Sequence, residues 1–383
     1  MKINEVNAQA ISDSRGEKTI LVTIKTDAGE FSASSPSGKS TGKYEAKSYK
    51  KTLDDDIEKI KQMSNYFSED IGDFNELKKI EDILEKQVGA NTIFAFESAV
   101  LKAIAEEDGV EIWELINENP AKFPRLAGNC IGGGKHSSKE VKPDFQEFLL
   151  IPDEKTVKEC FEKNKRIKEK LKTILEKKDS KFHGEKNDED AWAVSLNEKE
   201  ILEILKNEQI PVGVDIAASG FYGWGKYKYE NPKFKRSKEE QTEYISNLIK
   251  NFNLFYIEDP FDENDFESFA EIHSRFPDSL IVGDDLTTTN PERLKKAIKM
   301  KSINAIIVKP NQIGSLIKVK EVCELAKENN IKIVFSHRSG ETEESILADL
   351  AFGFQADFLK CGITGKEREI KINRLIEIEK SFE

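Results

Sequence analysis

The feature that most constrains this chain is a recurrence in its second half, where short β-rich runs each end on an ionisable residue. The runs are Pro211–Ile216, Leu254–Ile257, Leu280–Val282, Ala305–Val308, Ile331–Phe335 and Asp357–Leu359, with helical stretches between them. Strands that alternate with helices specify a parallel sheet. Asp215, Glu258-Asp259, Asp284-Asp285, Lys309, His337-Arg338 and Lys360 mark the run ends, and from Glu258 onward the marks fall 26, 25, 28 and 23 residues apart. That interval holds one strand, one helix and two short loops. One polar strand end is ordinary, because buried strands run out into polar loops, but six in order call for another reason. In a (β/α)8 barrel the strand tips converge on one mouth, which is where active sites sit.

The first part of the chain has a different pattern. Residues 2–34 alternate as a β meander that turns at Asp27-Ala28-Gly29, and Leu53–Met63, Asn75–Gln87 and Thr92–Glu107 carry apolar residues at helical spacing. Asn91 stands where an N-cap belongs. The polar, proline-punctuated stretch 117–124 reads as a boundary. The expected domains are residues 1–125, an α+β cap, and residues 126–383, an α/β barrel.

Composition narrows the partners. At 383 residues the chain can bury a sizeable core, and 59 Lys+Arg against 71 Asp+Glu leave a net charge of −12, without the basic footprint of a nucleic-acid binder. No apolar run approaches the roughly 20 residues that span a bilayer. The start, Met1-Lys2-Ile3-Asn4-Glu5, lacks an apolar signal region, so a cytoplasmic protein is expected. Cys130, Cys160, Cys323 and Cys361 are far apart and form no Cys-x-x-Cys pair, which argues for reduced thiols over zinc or disulfides. The lysine-rich stretch 155–178 reads as a solvated amphipathic helix.

Asp215, Glu258 and Asp284 place three carboxylates at neighbouring strand tips, and hard oxygen donors favour Mg²⁺ over zinc. Lys309, His337, Arg338 and Lys360 bring cations to the opposite arc. Such a mouth suits an anionic substrate held between metal and protein cations.

Eight collinear motifs carry a family resemblance. Asp13-Ser14-Arg15-Gly16, Pro36-Ser37-Gly38-Lys39-Ser40-Thr41-Gly42, Gln146-Glu147-Phe148, Asp215-Ile216-Ala217-Ala218-Ser219, Ile257-Glu258-Asp259-Pro260-Phe261, Gly283-Asp284-Asp285-Leu286-Thr287, Lys309-Pro310-Asn311-Gln312-Ile313-Gly314 and Ser336-His337-Arg338-Ser339-Gly340-Glu341-Thr342 span nearly the whole chain. In these motifs the chain resembles the enolases, the phosphopyruvate hydratases of glycolysis. The resemblance implies a modified (β/α)8 barrel with a smaller N-terminal α+β domain, Mg²⁺-dependent dehydration of 2-phosphoglycerate, two Mg²⁺ per site, and a homodimer or larger homo-oligomer. It makes Asp215, Glu258 and Asp284 the ligands of the tighter metal, and Ser40 a ligand of the second, which arrives with substrate. Lys309 corresponds to the general base, kept neutral by neighbouring cations, and Glu189 to the acid, with Glu147 as its partner carboxylate. His136, Gln146, His337, Arg338, Ser339 and Lys360 correspond to the substrate pocket, Arg338 and Ser339 clamping phosphate.

The chain departs from the family pattern at the donor end. Asp190-Ala191-Trp192 follow Glu189 where the family has Gly-Gly-Phe, Gly220 replaces a usual Glu, Lys39 a small residue, and Cys361-Gly362-Ile363-Thr364 the usual Thr-Gly-Ala-Pro. Glycines at positive φ are hard to replace, so a different loop backbone is expected after Glu189. Gly132-Gly133-Gly134-Lys135 matches no phosphate-loop spacing and reads as a flexible loop carrying His136. His183 and His273 read as surface residues. The departures leave two alternatives: a lyase acting on a related phosphorylated hydroxy acid, and a catalytically silent binding protein.

Overall fold

The computed structural model describes every residue except Ser40, Thr41, Ser68 and Glu383. The expected second-metal ligand Ser40 therefore lies outside the described residues. The chain opens with the antiparallel meander β1 (Glu5–Ser12), β2 (Lys18–Thr26) and β3 (Gly29–Ser34), followed by α1 (Leu53–Lys61), α2 (Leu77–Leu84) and α3 (Ala90–Asp108). Alternation along β2 buries Ile20, Val22 and Ile24, and this face packs on α3, which is buried around most of its circumference. Helix α3 begins after Gly89, so Asn91 lies inside it and is not its N-cap. The Asn91 side chain is buried, and its Oδ1 accepts from Asn311 Nδ2 at 3.0 Å. Contact with the other half of the molecule, not helix initiation, accounts for this asparagine.

The rest of the chain runs β4 (Arg125–Gly132), β5 (Glu147–Leu150), α4 (Val157–Lys178), β6 (Trp192–Ala193), α5 (Glu198–Leu205), β7 (Val212–Asp215), a small antiparallel sheet of β8 (Tyr222–Gly223), β9 (Lys226–Glu230) and β10 (Lys233–Arg236), then α6 (Lys238–Phe252). It continues with β11 (Tyr256–Glu258), α7 (Phe266–Arg275), β12 (Leu280–Gly283), α8 (Pro291–Met300), β13 (Ala305–Val308), α9 (Leu316–Glu328), β14 (Lys332–Ser336), α10 (Ile346–Gly353), β15 (Phe358–Gly362) and α11 (Lys366–Lys380). Strands β4-β5-β7-β11-β12-β13-β14-β15 form one sheet, closed by pairing of β15 with β4. All six runs expected in the second half are strands of this barrel. Side chains including Ala127, Leu149, Tyr256, Val282, Ile307 and Val334 form a cluster separate from the main core, as a packed barrel interior requires.

One strand breaks the expected parallel pattern. β5 runs antiparallel to both neighbours, with Glu147 opposite Gly132 on β4 and Asp215 on β7. Its first residue therefore lies at the end where the other strands finish. Helix starts follow local chemistry: Thr156, Asn197 and Ser237 each make a capping box with a Glu at the third helical position. Helix α4 is amphipathic as expected, but Lys168 sits on its buried stripe. The glycine run after β4 is packed: a Cβ on Gly133 would lie 2.4 Å from Pro143 and 2.5 Å from the Phe145 carbonyl. Close approach, not flexibility, explains glycine there. His183 is exposed and His273 half-buried, its Nδ1 2.8 Å from the Lys301 carbonyl oxygen.

Candidate active site

Strand register assembles the site. Glu147, Asp215 and Glu258 are successive partners across β5, β7 and β11, and Lys360 on β15 reaches them from the far side of the mouth. Its ammonium donates to Asp215 Oδ2 at 2.9 Å and to both Glu258 oxygens at 2.8 Å, and lies 3.4 Å from Glu147 Oε1. Burial alone would lower the Lys360 pKa, but Asp215, Glu147 and Glu258 together hold it well above the ordinary lysine value. Glu258 also accepts from the Tyr256 hydroxyl at 2.5 Å, and Gln146 Nε2 reaches Asp215 Oδ2 at 3.4 Å.

Asp284 is bound to the Lys309 ammonium and accepts from Gln312 Nε2 at 3.2 Å. Burial would raise its carboxyl, but the charge and hydrogen bond of Lys309, together with Lys360 and Arg338, hold it below the ordinary value. The reciprocal applies to Lys309: burial pushes it down, Asp284 with help from Glu258 pushes it up, Arg338 and Lys360 oppose them, and the balance is upward. In this arrangement Lys309 is an ammonium held above the ordinary lysine value, not the neutral amine expected from its neighbours.

Asp259 and Asp285 complete the acidic side. Asp259, at φ +41, accepts the backbone N–H groups of Asp284 at 3.1 Å and Asp285 at 2.6 Å and so fixes their turn. Carboxylate oxygens of Asp259, Asp284 and Asp285 lie within 4.8 Å of one another. Burial followed by mutual repulsion raises Asp285 to about 7 and Asp259 and Glu258 well above the carboxylate range. More buried carboxyl groups gather here than Lys309 and Lys360 can pair, which is why several are held towards their protonated form. A hard divalent cation fits that donor set.

The other flank is built from loops. Glu189 is 2 % exposed; its Oε2 accepts from Asn129 Nδ2 at 2.8 Å, its Oε1 lies 3.0 Å from His136 Nδ1, and His337 Nε2 is 3.7 Å away. Glu147, Glu189 and His136 place ligand atoms within 4.8 Å of one another. Burial and then Glu189 raise Glu147 to about 8, whereas burial at Glu189 is outweighed by His136 and His337, which hold it well below the carboxylate range. Their surroundings thus push the two carboxyls apart and favour a proton on Glu147 over Glu189. Burial would lower His136, but Glu189 with Asp188 and Glu147 lifts it to about 9, while burial pushes His337 well below the ordinary histidine value. Among the described residues, Glu147 Oε2 and both ring nitrogens of His337 are buried without a hydrogen-bond partner. These are free polar atoms for a substrate to meet.

Arg338 and Ser339 follow β14. The Arg338 guanidinium donates to Glu45 Oε2 at 3.0 Å and to Asn311 Oδ1 at 3.1 Å, so a carboxylate of the N-terminal part occupies the fork. Ser339 Oγ accepts from Lys39 N at 2.8 Å and Arg15 Nη1 at 3.2 Å. The mouth therefore gathers every expected site residue that lies among the described residues. It also recruits Asn129, Tyr256, Asp259, Asp285 and Gln312. Of these, Tyr256 had a readable signal, since it lies two residues before Glu258 on the same face of a strand.

A closed eight-stranded barrel with a small α+β domain over its mouth, lined by buried carboxylates, lysines and an arginine, defines the class of two-domain barrel lyases. Comparisons with known proteins carry this to a family. Residues 3–116 match the enolase N-terminal domain and residues 121–383 the enolase C-terminal TIM barrel domain. The enolase of Methanosphaera stadtmanae is 37 % identical over 99 % of this chain and 97 % of its own length. That of Sulfurisphaera tokodaii is 36 % identical over 100 % and 96 %, and that of Pyrobaculum aerophilum 40 % identical over 76 % and 73 %. This chain belongs to the enolase family. It is an enzyme, a carbon–oxygen lyase.

Proposed function

We propose that this mouth dehydrates 2-phosphoglycerate to phosphoenolpyruvate. The observation that carries the reading is that one barrel mouth holds both Lys309, directly after β13, and the buried Glu147–Glu189 carboxyl pair. Lys309 gives up its proton once Asp284 no longer pairs with its ammonium, and the neutral amine so formed takes the proton from C2 and leaves an enediolate. The C–H electron pair becomes the C2=C3 double bond as the C3–O bond breaks. The hydroxyl departs as water with a proton that Glu189 delivers and Glu147 supplies. His136 and His337 orient Glu189, Gln146 orients Asp215, and Arg338 with Ser339 takes the phosphate, which displaces Glu45 from the guanidinium.

Asp215, Glu258 and Asp284 would hold the tighter Mg²⁺, and Ser40 the second, the ions supplying positive charge that stabilises the enediolate. Residues 1–125 are read as the cap whose loop from Pro36 reaches the pocket. A cytoplasmic glycolytic or gluconeogenic role and a homo-oligomer complete the reading. Among the described residues no helix is long and apolar enough to cross a membrane.

The test is direct: Mg²⁺ and 2-phosphoglycerate are mixed with the protein and phosphoenolpyruvate absorbance is followed, with Lys309→Ala as the blank. Turnover is expected in the wild type only, and its absence there overturns the proposal.

A further inference from the structure

The loop that carries Glu189 departs from what its own backbone prefers. Asp190 lies in the left-handed region at φ +63, a conformation that is costly for a residue with a Cβ, although Asn and Asp tolerate it better than most. The turn is tight. Asn187 Oδ1 accepts the N–H groups of Glu189 at 3.0 Å and Ala191 at 2.9 Å, and Asn187 N donates to the Ala191 carbonyl at 2.8 Å. A left-handed residue just after Glu189 sets the direction in which that side chain enters the pocket.

What holds Asp190 there is a cation outside the pocket. Lys168, on the buried stripe of α4 and 1 % exposed, donates to the Asp190 carbonyl oxygen and to Thr364 Oγ1, and lies 3.3 Å from Asp190 Oδ2. Thr364, just beyond β15, closes the triangle by donating to Asp190 Oδ2. Lys186 adds contacts at 2.8 and 2.9 Å from the solvent side. Trp192 fixes the lysine in turn: its Nε1 donates to the Lys168 carbonyl at 2.8 Å, and its ring lies 5.4 Å from the ammonium. A buried ammonium is costly unless its donors are met. Here they are met by the loop, so the loop conformation and the burial of Lys168 stabilise each other.

We infer that Lys168, Asp190 and Thr364 form a clamp that positions Glu189 for its pocket role, tying the donor loop to the barrel wall through α4 and β15. None of the three has been given a place among the groups facing the substrate; they are positioning residues. The inference rests on the proposed donor role of Glu189. Misplacing a donor by about 1 Å costs on the order of a hundredfold in rate, whereas the opposite flank, with Lys309, touches none of these residues.

The test uses Lys168→Met, Asp190→Gly and Asp190→Asn in the full chain. Asp190→Gly relieves the left-handed strain and removes the side-chain arm of the tether, leaving only the backbone carbonyl for Lys168, so the variant that folds most easily is also one that should misplace Glu189. Asn keeps both the backbone preference and the acceptor. Two readouts are made. In metal-free protein the imidazole of His136, which faces Glu189, Asp188 and Glu147, is titrated by NMR. With Mg²⁺ in D₂O, dehydration of 2-phosphoglycerate is compared with deuterium uptake at C2, which needs Lys309 but not the donor.

In Lys168→Met and Asp190→Gly the His136 midpoint should fall by about one unit as Glu189 withdraws. Dehydration should fall about tenfold to a hundredfold while C2 exchange stays within about twofold, and Asp190→Asn should recover most of the loss. An unshifted His136 in both variants, or exchange that falls in step with dehydration, overturns the clamp. Glu189→Gln decides the underlying reading separately: dehydration lost with exchange retained upholds it. If both are lost, the donor role falls and the clamp stands or falls on the His136 titration.

Discussion

The two flanks of this mouth are built by different means. On the proton-abstracting flank, Asp215, Glu258, Asp284, Lys309 and Lys360 stand on or directly after barrel strands, and register alone brings them together. On the proton-donating flank only Glu147 stands on a strand; Glu189 and His136 come from loops. Those loops are held by side chains: Asn129 on Glu189, Asn187 on its own turn, Lys168 on Asp190. A strand tip needs no further support to aim its residue, because the ladder fixes it. A loop needs a bonding partner for each left-handed or tight position, and so it can change sequence only together with those partners. Asp190 and Thr364, both departures from the family pattern, are in contact.

The sharpest way to break this division is to remove one proton-transfer group from each flank. Lys309→Met should lower dehydration by about 10²–10⁴-fold and C2 exchange with it, since no other group takes the proton. Glu189→Gln should lower dehydration comparably yet leave exchange. Equal loss of both activities in both variants would mean that the flanks do not act in separate steps.

Arg338 gives the next largest effect. Its fork holds Glu45 and Asn311, and Arg338→Lys keeps the charge but loses the bidentate geometry. KM for 2-phosphoglycerate should rise about tenfold to a hundredfold with a smaller change in kcat, measured by steady-state kinetics. A fall in kcat alone would place Arg338 in the chemical step instead of the phosphate contact.

The two flanks also differed in how far the sequence revealed them. The base flank was legible because parallel strands are nearly continuous apolar runs, so the first charge after each run marks a tip. The family resemblance then named roles for those charges. The antiparallel β5 escaped this rule, since its functional residue precedes its apolar residues. The inserted sheet β8–β10 broke the regular interval between Asp215 and Glu258. Lys168 was invisible for a different reason. In a helix with lysines on most of its surface, nothing local distinguishes the one whose partners are 22 and 196 residues away. The turn after Glu189 places Asp190 at φ +63, a position that its contacts with Lys168 and Thr364 make tolerable and that no local sequence signal marks.

A smaller effect concerns the metal. If Asp215, Glu258 and Asp284 hold Mg²⁺, adding it at about a hundred times its Kd should stabilise the wild type by about 2.7 kcal/mol, read as a rise in Tm. Asp284→Asn should abolish most of that rise, and Glu189→Gln should leave it intact. A rise lost equally in both would relocate the ion to between the flanks.

The subtlest prediction separates the two carboxyls of the donor pair by stability and not by rate. Glu147 titrates at about 8 in the folded protein against an ordinary 4.5, so folding binds a proton there. Its contribution is fully present below the unfolded value near 4.5 and is lost as pH rises through about 8. Glu189 is shifted the other way; its contribution is present above the ordinary carboxylate value and is lost as pH falls through its depressed folded value. Glu147→Gln, neutral at every pH and nearly isosteric, should therefore melt above wild type at pH 8–9 in metal-free buffer and converge with it near pH 4–5. Glu189→Gln should melt below wild type at neutral pH, because His136 then loses its counter-ion. If the two variants exchanged behaviours, the resting proton would belong to Glu189, and the pair would donate without any transfer from Glu147.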